Sequence, residues 1–175
     1  KTIPSENITD LATGSDGILW IGTRPYHVWN AKACDDNDCR KDAPGYWVPA
    51  GGGLAARQGD TWAAWVSAQS SSSCFGSHVT ALRADAGGRM WVGTLGHGLL
   101  VMQNGLRKTG CQSGQPSYTR PQRAGIDGGL RGNSVWSIDV DDRGHVWIGN
   151  GDGSAVGRGI VILDHTGTFA DSTGC

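Results

Sequence analysis

The sequence predicts an all-β fold of the β-propeller class, because one segment recurs three times with the same internal spacing. The copies are ITDLATGSDGILWIGT from Ile8, VTALRADAGGRMWVGT from Val79 and VWSIDVDDRGHVWIGN from Val135. In each copy the first apolar residue precedes the tryptophan by 12 positions. Each copy is followed by a second half of the unit. This half is a run of apolar residues that starts with glycine, near Gly52, His97 or Arg158. Such repeats are typical of architectures in which one unit buries its apolar face only against its neighbours.

Each unit is predicted to contain four short antiparallel strands. Apolar residues alternate with polar or small ones in the first half, which predicts a half-buried strand A. A glycine turn then leads into an aromatic and β-branched strand B. The Gly-apolar run supplies strand C, and a further turn begins an outer strand D, clearest at 61–66. The 29 glycines and 6 prolines favour turns over helices. A β-sandwich is the main rival, but it would not need identical register in every unit.

The whole chain, 1–175, is predicted to be a single partial propeller. Its blades cover approximately 7–68, 78–110 and 134–171. Propellers usually have about four to eight blades, so three blades leave the ring open. We expect other copies of the chain, or further blades of a parent chain, to complete it. The start at Lys1 rather than at a methionine favours a processed or excised piece.

Two stretches give these repeats a family likeness. LWIGT with an upstream Asp-Gly turn and a downstream Gly-Gly-Leu, and LRGNSVWSIDVDDRGHVWIGN in the last unit, resemble the two-component regulator propeller repeat of bacterial sensor ectodomains and secreted proteins. The resemblance covers all three units and implies the propeller fold. Related sensor ectodomains detect polysaccharide breakdown products, so it also implies ligand recognition. Propellers host many unrelated activities, and the fold alone assigns none.

Composition limits which binding partners and which cellular location are expected for this chain. The 15 basic and 16 acidic residues give a net charge of −1, so no strong field attracts nucleic acid. No apolar stretch reaches the roughly 18 residues of a membrane-spanning helix, and no membrane insertion is expected. The five cysteines fall outside the predicted strands, which indicates an oxidising, secreted, periplasmic or extracellular location with disulfides. Cys34–Cys39 and Cys74–Cys111 are the expected pairs, with Cys175 left over; zinc is disfavoured because no CxxC pair exists.

Loop lengths predict where a binding site lies. In a propeller the A-to-B and C-to-D turns lie on one face, and the B-to-C and D-to-A connections lie on the other. The long segments are 24–50, 67–78, 109–134 and 151–157, all on the second face. Insertions concentrated on one face indicate a binding surface.

Several residues in these long loops are candidate ligand contacts. In the first loop they are Arg24, Tyr26, His27, Trp29 and Trp47, whose aromatic faces suit sugar rings. The alternative is that the aromatic residues pack the insertion onto its blade. In the third loop Tyr118, Arg120 and Arg123, with Arg131 nearby, suit carboxylates or sulfates, and salt bridges within the loop are the alternative.

Histidine and tryptophan are the two further residue types that are candidates for chemistry or for packing. His97, in the tight Gly96-His97-Gly98 connection, is the candidate catalytic or ligand-contacting histidine, against a loop histidine without function; His27 and His78 share its face. The repeating Trp20, Trp91 and Trp147 are expected in the core. Trp62, Trp65 and Trp136 are expected to pack as well.

A calcium site is the one cofactor that the sequence suggests. Asp35, Asp36, Asn37 and Asp38 place four oxygen-bearing side chains between two cysteines. They do not fit the EF-hand pattern, and a solvated acidic turn is the alternative. No other cofactor is expected.

These observations support three functions. The first is an extracellular recognition module that binds an oligosaccharide or similar ligand on the long-loop face. The second is an assembly protein that builds rings or filaments from propeller wedges. The third is a lyase acting on a uronate-type polymer or a lactone, with His97 as base and the acidic loop or Arg123 stabilising an enolate. No HExxH, GxSxG or phosphate-loop pattern occurs, so catalysis ranks last.

Overall fold

Every regular element in the described part of the chain is a β-strand, as the sequence predicts. The computed structural model describes residues 3–30, 46–66, 78–102, 118–122, 130, 132, 134–151 and 159–163. The strands are β1 (Ile8–Thr13), β2 (Leu19–Thr23), β3 (Tyr26–Asn30), β4 (Tyr46–Ala50), β5 (Gly53–Gln58), β6 (Thr61–Val66), β7 (Val79–Ala84), β8 (Met90–Thr94), β9 (Gly98–Met102), β10 (Tyr118–Gln122), β11 (Ser134–Val140), β12 (Val146–Gly151) and β13 (Gly159–Leu163). No helix long and apolar enough to cross a membrane occurs among these residues.

The strands form three antiparallel blades. Blade 1 has the order β1-β2-β5-β6, and blade 2 runs β7-β8-β9-β10 from its inner to its outer strand. Blade 3 contains β11-β12-β13 in the described residues. The predicted A-to-B hairpins form at Gly17, Gly88 and Gly144, whose positive φ of 75–81° suits glycine. The innermost strands β1, β7 and β11 contact one another in that order.

Two strands lie where the sequence predicted long loops. Strands β3 and β4 pair as a separate hairpin inside segment 24–50, with Tyr26 opposite Ala50 and Trp29 opposite Trp47. Strand β10 lies inside segment 109–134 and pairs with β9 as the outer strand of blade 2. Blade 2 therefore extends beyond its predicted end at residue 110. Pro121 obscured this strand, because proline removes a ladder donor and is tolerated only at sheet edges.

The apolar core lies between the blades. One cluster joins Trp20, Leu54 and Trp65 of blade 1 to Leu82 and Val92 of blade 2. The second cluster joins Trp91 and Leu99 of blade 2 to Val135, Ile138 and Ile148 of blade 3. Trp20 and Trp91 are buried, as predicted, and Trp65 stacks on Trp20 with ring centroids 5.6 Å apart. Each blade thus buries its apolar face only where another blade covers it.

In blades 1 and 2 the glycine of the Trp-aliphatic-Gly tripeptide, Gly22 or Gly93, lets the next blade approach. We use the word seam for the contact between this tripeptide and the innermost strand of the next blade. A Cβ built on Gly22 would lie 2.7 Å from Cγ1 of Val79, and one on Gly93 would lie 2.7 Å from Cγ1 of Val135. These distances leave no room for a methyl group. Each seam is also closed by a threonine: Oγ1 of Thr9 donates to the carbonyl of Val79 at 2.7 Å.

Two tryptophans are placed differently from their predicted positions. Trp147 was expected in the core but is 41% exposed, and Trp136 was expected to pack but is 56% exposed. In blades 1 and 2 the tryptophan of the tripeptide faces the following blade, whereas no further blade follows blade 3 among the residues that the structure describes. Ile160 of β13 is 62% exposed for the same reason.

Candidate functional site

A pocket opens where the three innermost strands begin. It has a volume of about 610 Å³ and is lined by Glu6, Asn7, Ile8, Thr9, Arg24, His78, Thr80 and Trp136. Arg24 directly follows β2 and His78 directly precedes β7. These two positions belong to B-to-C and D-to-A connections, so the pocket lies on the face that carries the long segments.

Backbone hydrogen bonds hold the rim of the pocket in place. The amide of Arg24 donates to the carbonyl of Asn7 at 3.0 Å, which ties the end of β2 to the segment before β1. The amide of Asn7 in turn donates to Oγ of Ser5 at 3.1 Å. In blade 2 the amide of Leu95 donates to the carbonyl of His78 at 3.0 Å. The side chains of Arg24 and His78 therefore project from anchored backbone, which lowers the entropic cost of binding a ligand.

His78 and Arg24 influence each other electrostatically. Burial lowers the pKa of His78 below its ordinary value, and the positive charge of Arg24 lowers it further. The imidazole is therefore neutral at neutral pH, with one nitrogen able to donate a hydrogen bond and the other able to accept one. The permanent cation Arg24 and the neutral acid–base group His78 lie on the same rim as the carboxylate Glu6.

Trp136 breaks the seam pattern and lines the pocket instead. It follows the first apolar residue of its repeat, as Thr9 and Thr80 do in theirs. Oγ1 of Thr80 donates to the carbonyl of Val135 at 2.5 Å, like Thr9 in the first seam. In blade 3 this position carries an exposed indole rather than a hydroxyl. Comparing this single position across the three repeats would have identified Trp136 from the sequence.

The structure brings only part of the predicted site into this pocket. Arg24 lines it, whereas Tyr26 and His27 are exposed on β3 and are not among its lining residues. The Tyr26 ring lies close over Gly51, where a Cβ would be 2.7 Å from Cε1. His97 is half-buried in the turn after β8, with Nδ1 3.4 Å from the carbonyl oxygen of Leu95, and does not reach the pocket.

The remaining predicted site residues either lie on strands or lie outside the residues that the structure describes. Trp29 lies on β3, Trp47 on β4, and Tyr118 and Arg120 on β10, rather than in open loops. Outside the described residues lie Arg123, Arg131, the proposed calcium ligands Asp35, Asp36, Asn37 and Asp38, and the cysteines Cys34, Cys39, Cys74, Cys111 and Cys175. Among the described residues, no group of three or more His, Cys, Asp or Glu side chains could hold a metal ion.

The opposite face contains a recurring carboxylate that stabilises the A-to-B turn. Asp85 precedes Trp91 by six residues, and its carboxylate accepts from the Trp91 indole at 2.8 Å and from Nε of Arg89 at 2.6 Å. Burial opposes ionisation of Asp85, but hydrogen bonds from Arg89 and Trp91 lower its pKa below the ordinary value. Asp141 accepts likewise from Trp147, at 3.1 Å. This Asp-to-Trp spacing was not predicted from the sequence, and it marks a structural interaction rather than a site.

Comparison with known proteins supports the family resemblance and the fold. The family model described as "two component regulator propeller" matches residues 2–24 and 129–152. Two segments of this chain therefore carry that repeat. These segments include β1 with β2 and β11 with β12, the A-to-B hairpins of blades 1 and 3. A search of the curated proteins found no match.

A solved structure supports the propeller architecture. It is an X-ray structure described as a candidate gluconolactonase, with 17% identity and a TM-score of 0.50. The match covers 93% of this chain and 46% of that chain, so this chain spans less than half the length of the neighbour. At this identity the likeness concerns the fold alone. The chain is thus a β-propeller-type domain built from repeats.

Proposed function

We propose that this domain is an extracellular recognition module that binds a short oligosaccharide carrying a carboxylate. The observation that carries the proposal is the exposed indole of Trp136 in the same pocket as Arg24 and His78. Trp136 takes the position that a threonine occupies in the other two blades, and its indole is 56% exposed. The five cysteines support a location in an oxidising compartment.

The lining residues provide complementary contacts for such a ligand. A sugar ring stacks its C–H surface on an aromatic face, and the Trp136 indole offers one. The Arg24 guanidinium suits a carboxylate, with which it can form two parallel hydrogen bonds. Neutral His78 can donate to or accept from a sugar hydroxyl. The volume of about 610 Å³ lies within the roughly 300–1,000 Å³ usual for small-molecule sites.

Calorimetric titration with oligouronates, and with neutral oligosaccharides of the same length, tests this proposal. We expect the acidic series to bind and Trp136→Ala to weaken binding by about fivefold or more, since stacking on one aromatic side chain is worth on the order of 1 kcal/mol or more. Arg24→Gln should reduce the preference for the acidic series. The control is Trp62→Ala, on the outer strand β6 and away from the pocket. Equal binding by wild type and Trp136→Ala would contradict the proposal.

A second function is favoured by the pairing of His78 with Arg24. A neutral imidazole next to a fixed positive charge can remove a proton while the cation stabilises the anion that forms. Opening of a lactone or elimination from a uronate can use such an arrangement, and the structural neighbour is described as a candidate gluconolactonase. Ring opening of an aldonolactone and formation of unsaturated uronate product test it. If His78→Gln loses turnover but still binds the ligand, the result supports catalysis. If the wild type binds the ligand without turning it over, recognition is the only function supported.

A further inference from the structure

The seam between blades 1 and 2 brings Arg24 and His78 to the same pocket rim. Gly22 and Val79 meet in this seam, with 2.7 Å between the ideal Cβ of Gly22 and Cγ1 of Val79. Arg24 lies two residues after Gly22, and His78 directly precedes Val79. The packing of the two blades therefore places a guanidinium-bearing residue and an imidazole-bearing residue at one edge of the pocket.

The second seam carries different side chains at the two equivalent positions. Leu95 is the equivalent of Arg24, and Ser134 is the equivalent of His78. The backbone arrangement is the same: the amide of Arg24 donates to the carbonyl of Asn7 at 3.0 Å. The amide of Leu95 donates to the carbonyl of His78, also at 3.0 Å. Joining two blades of this repeat therefore does not require a charged and a titratable side chain at these positions.

The first seam disfavours a second positive charge on the rim. Among the described residues that line the pocket, Glu6, Arg24 and His78 are the ones that carry or can acquire a charge. Burial lowers the pKa of His78, and the positive charge of Arg24 lowers it further. Whatever Glu6 contributes does not cancel these two effects. A ligand carboxylate in contact with both side chains would favour the protonated imidazole, because an opposite charge within about 4–6 Å favours the charged form.

We propose that Arg24 and His78 together form a proton-coupled carboxylate subsite, in which His78 takes up a proton when an acidic sugar binds. This coupling rests on the proposed recognition function and specifies how that site is regulated. The ligand carboxylate accepts hydrogen bonds from the Arg24 guanidinium and from an N–H of the His78 imidazolium. The proton comes from solvent and returns to solvent when the ligand leaves, and no covalent bond forms or breaks.

Proton coupling makes the affinity depend on pH in one direction. The pKa of His78 is below the ordinary 6.5 in the free protein, and the bound carboxylate raises it in the complex. Affinity for the acidic ligand should therefore rise as the pH falls through the pKa of the complex, and level off below the pKa of the free protein. Each unit by which binding raises this pKa strengthens binding about tenfold. Carboxyl groups ordinarily titrate below about pH 5, which leaves histidine as the titrating group above it.

Calorimetric titration of the protein with an oligouronate at constant ionic strength tests the proposal. We expect the dissociation constant to decrease about fivefold or more from about pH 8 to about pH 5. Titrations in buffers of different ionisation enthalpy should show proton uptake on binding. By NMR, the pKa of the His78 imidazole should be higher with saturating oligouronate than without it. A neutral oligosaccharide of the same length has no carboxylate, so any binding that it shows should not strengthen at low pH.

Three variants identify the group that takes up the proton. His78→Gln keeps a hydrogen-bonding side chain that does not titrate, so its affinity for the oligouronate should vary little with pH. His97→Gln is the matched control, because His97 lies on the same face but is not among the residues that line the pocket. Its pH dependence should equal that of the wild type. Glu6→Gln should also retain the pH dependence, since the proton binds to His78.

Two kinds of failure can be told apart. Oligouronate binding that is equally strong or weaker at low pH overturns the proton coupling but leaves the recognition function intact. Loss of the pH dependence in Glu6→Gln or His97→Gln also overturns it, because the proton would then bind elsewhere. An unchanged pKa of His78 in the wild-type complex overturns it without the use of any variant. Absence of oligouronate binding at every pH refutes the recognition function and the coupling together.

Discussion

Replacement of Gly93 by alanine tests the packing of the blades most directly. The added Cβ would lie 2.7 Å from Cγ1 and 3.2 Å from Cβ of Val135, and 3.2 Å from Oγ1 of Thr80. Val135 cannot turn aside easily, because β-branched side chains have a restricted χ1 and this one is fully buried. Thr80 is held by its hydrogen bond to the Val135 carbonyl. The backbone of one blade must therefore move away from the other.

The expected cost follows from two opposing effects. Overpacking of a buried site usually costs about 1–3 kcal/mol, whereas replacing glycine within a strand gains roughly 0.5–1 kcal/mol. Gly93→Ala should therefore lower the free energy of unfolding by about 1–2 kcal/mol. Gly149→Ala has the same tripeptide context, but its Cβ would meet only Oγ of Ser137, the end of a side chain that can rotate. That variant should remain within about 0.5 kcal/mol of the wild type.

Urea unfolding at one low protein concentration measures both variants, with the m-value as a check that the denatured state is unchanged. Val135→Ala removes the methyl group that the new Cβ would strike. The double variant Gly93→Ala/Val135→Ala should therefore cost less than the sum of the single variants, by about 0.5–3 kcal/mol. Equal losses in Gly93→Ala and Gly149→Ala would refute the reasoning, because the glycine requirement would then be internal to the blade.

Three further predictions concern charges. Asp85→Asn should cost about 1–3 kcal/mol, since hydrogen bonds to a buried carboxylate are lost; because the pKa of Asp85 is lowered in the folded state, this difference should be present above the ordinary 3.8 and shrink in urea titrations at lower pH. Arg24→Gln should raise the pKa of His78 toward 6.5, as followed by NMR titration, since one of its two lowering causes is removed. Because that pKa is lowered in the folded state, stability should fall with pH below 6.5 less steeply in this variant than in the wild type. Arg83→Ala should cost at most about 1 kcal/mol, because the 2.9 Å pair with Asp139 joins two half-exposed side chains; a larger loss in urea unfolding would contradict this.

The repeats could be predicted from the sequence because their signals are local. The spacing of 12 residues, the glycine turns and the alternating strands fix each A-to-B hairpin without reference to the rest of the chain. The outer strand of blade 1 was visible at 61–66 because it follows a tight glycine turn. The outer strand β10 was not, because it is separated from β9 by residues 103–117 and contains Pro121. Its pairing is a long-range event that no local signal specifies.

The burial of a repeated residue depends on what faces it, and the repeat does not encode that. Trp91 and Trp147 occupy the same position in the same tripeptide, and the indole N–H of each donates to the equivalent carboxylate, Asp85 or Asp141. Only Trp91 is buried, because blade 3 covers it and no blade in the described part of the chain covers Trp147. The prediction that both lie in the core assumed that burial follows from the position in the repeat, whereas burial depends on whether a following blade forms a seam there.

The pocket also depends on neighbouring blades, which explains why long loops were an incomplete guide to it. Its lining comes from the starts of the three innermost strands and from the residue after β2, which are spread along the chain from Glu6 to Trp136. The long segments indicated the face on which the pocket opens, and Arg24 and His78 lie at their ends. Trp136 required the knowledge that β1, β7 and β11 begin side by side. In a repeat protein, the equivalent residues of the other repeats show what packing requires at a given position. A residue that differs from its equivalents where the innermost strands begin therefore indicates function more strongly than a loop insertion does.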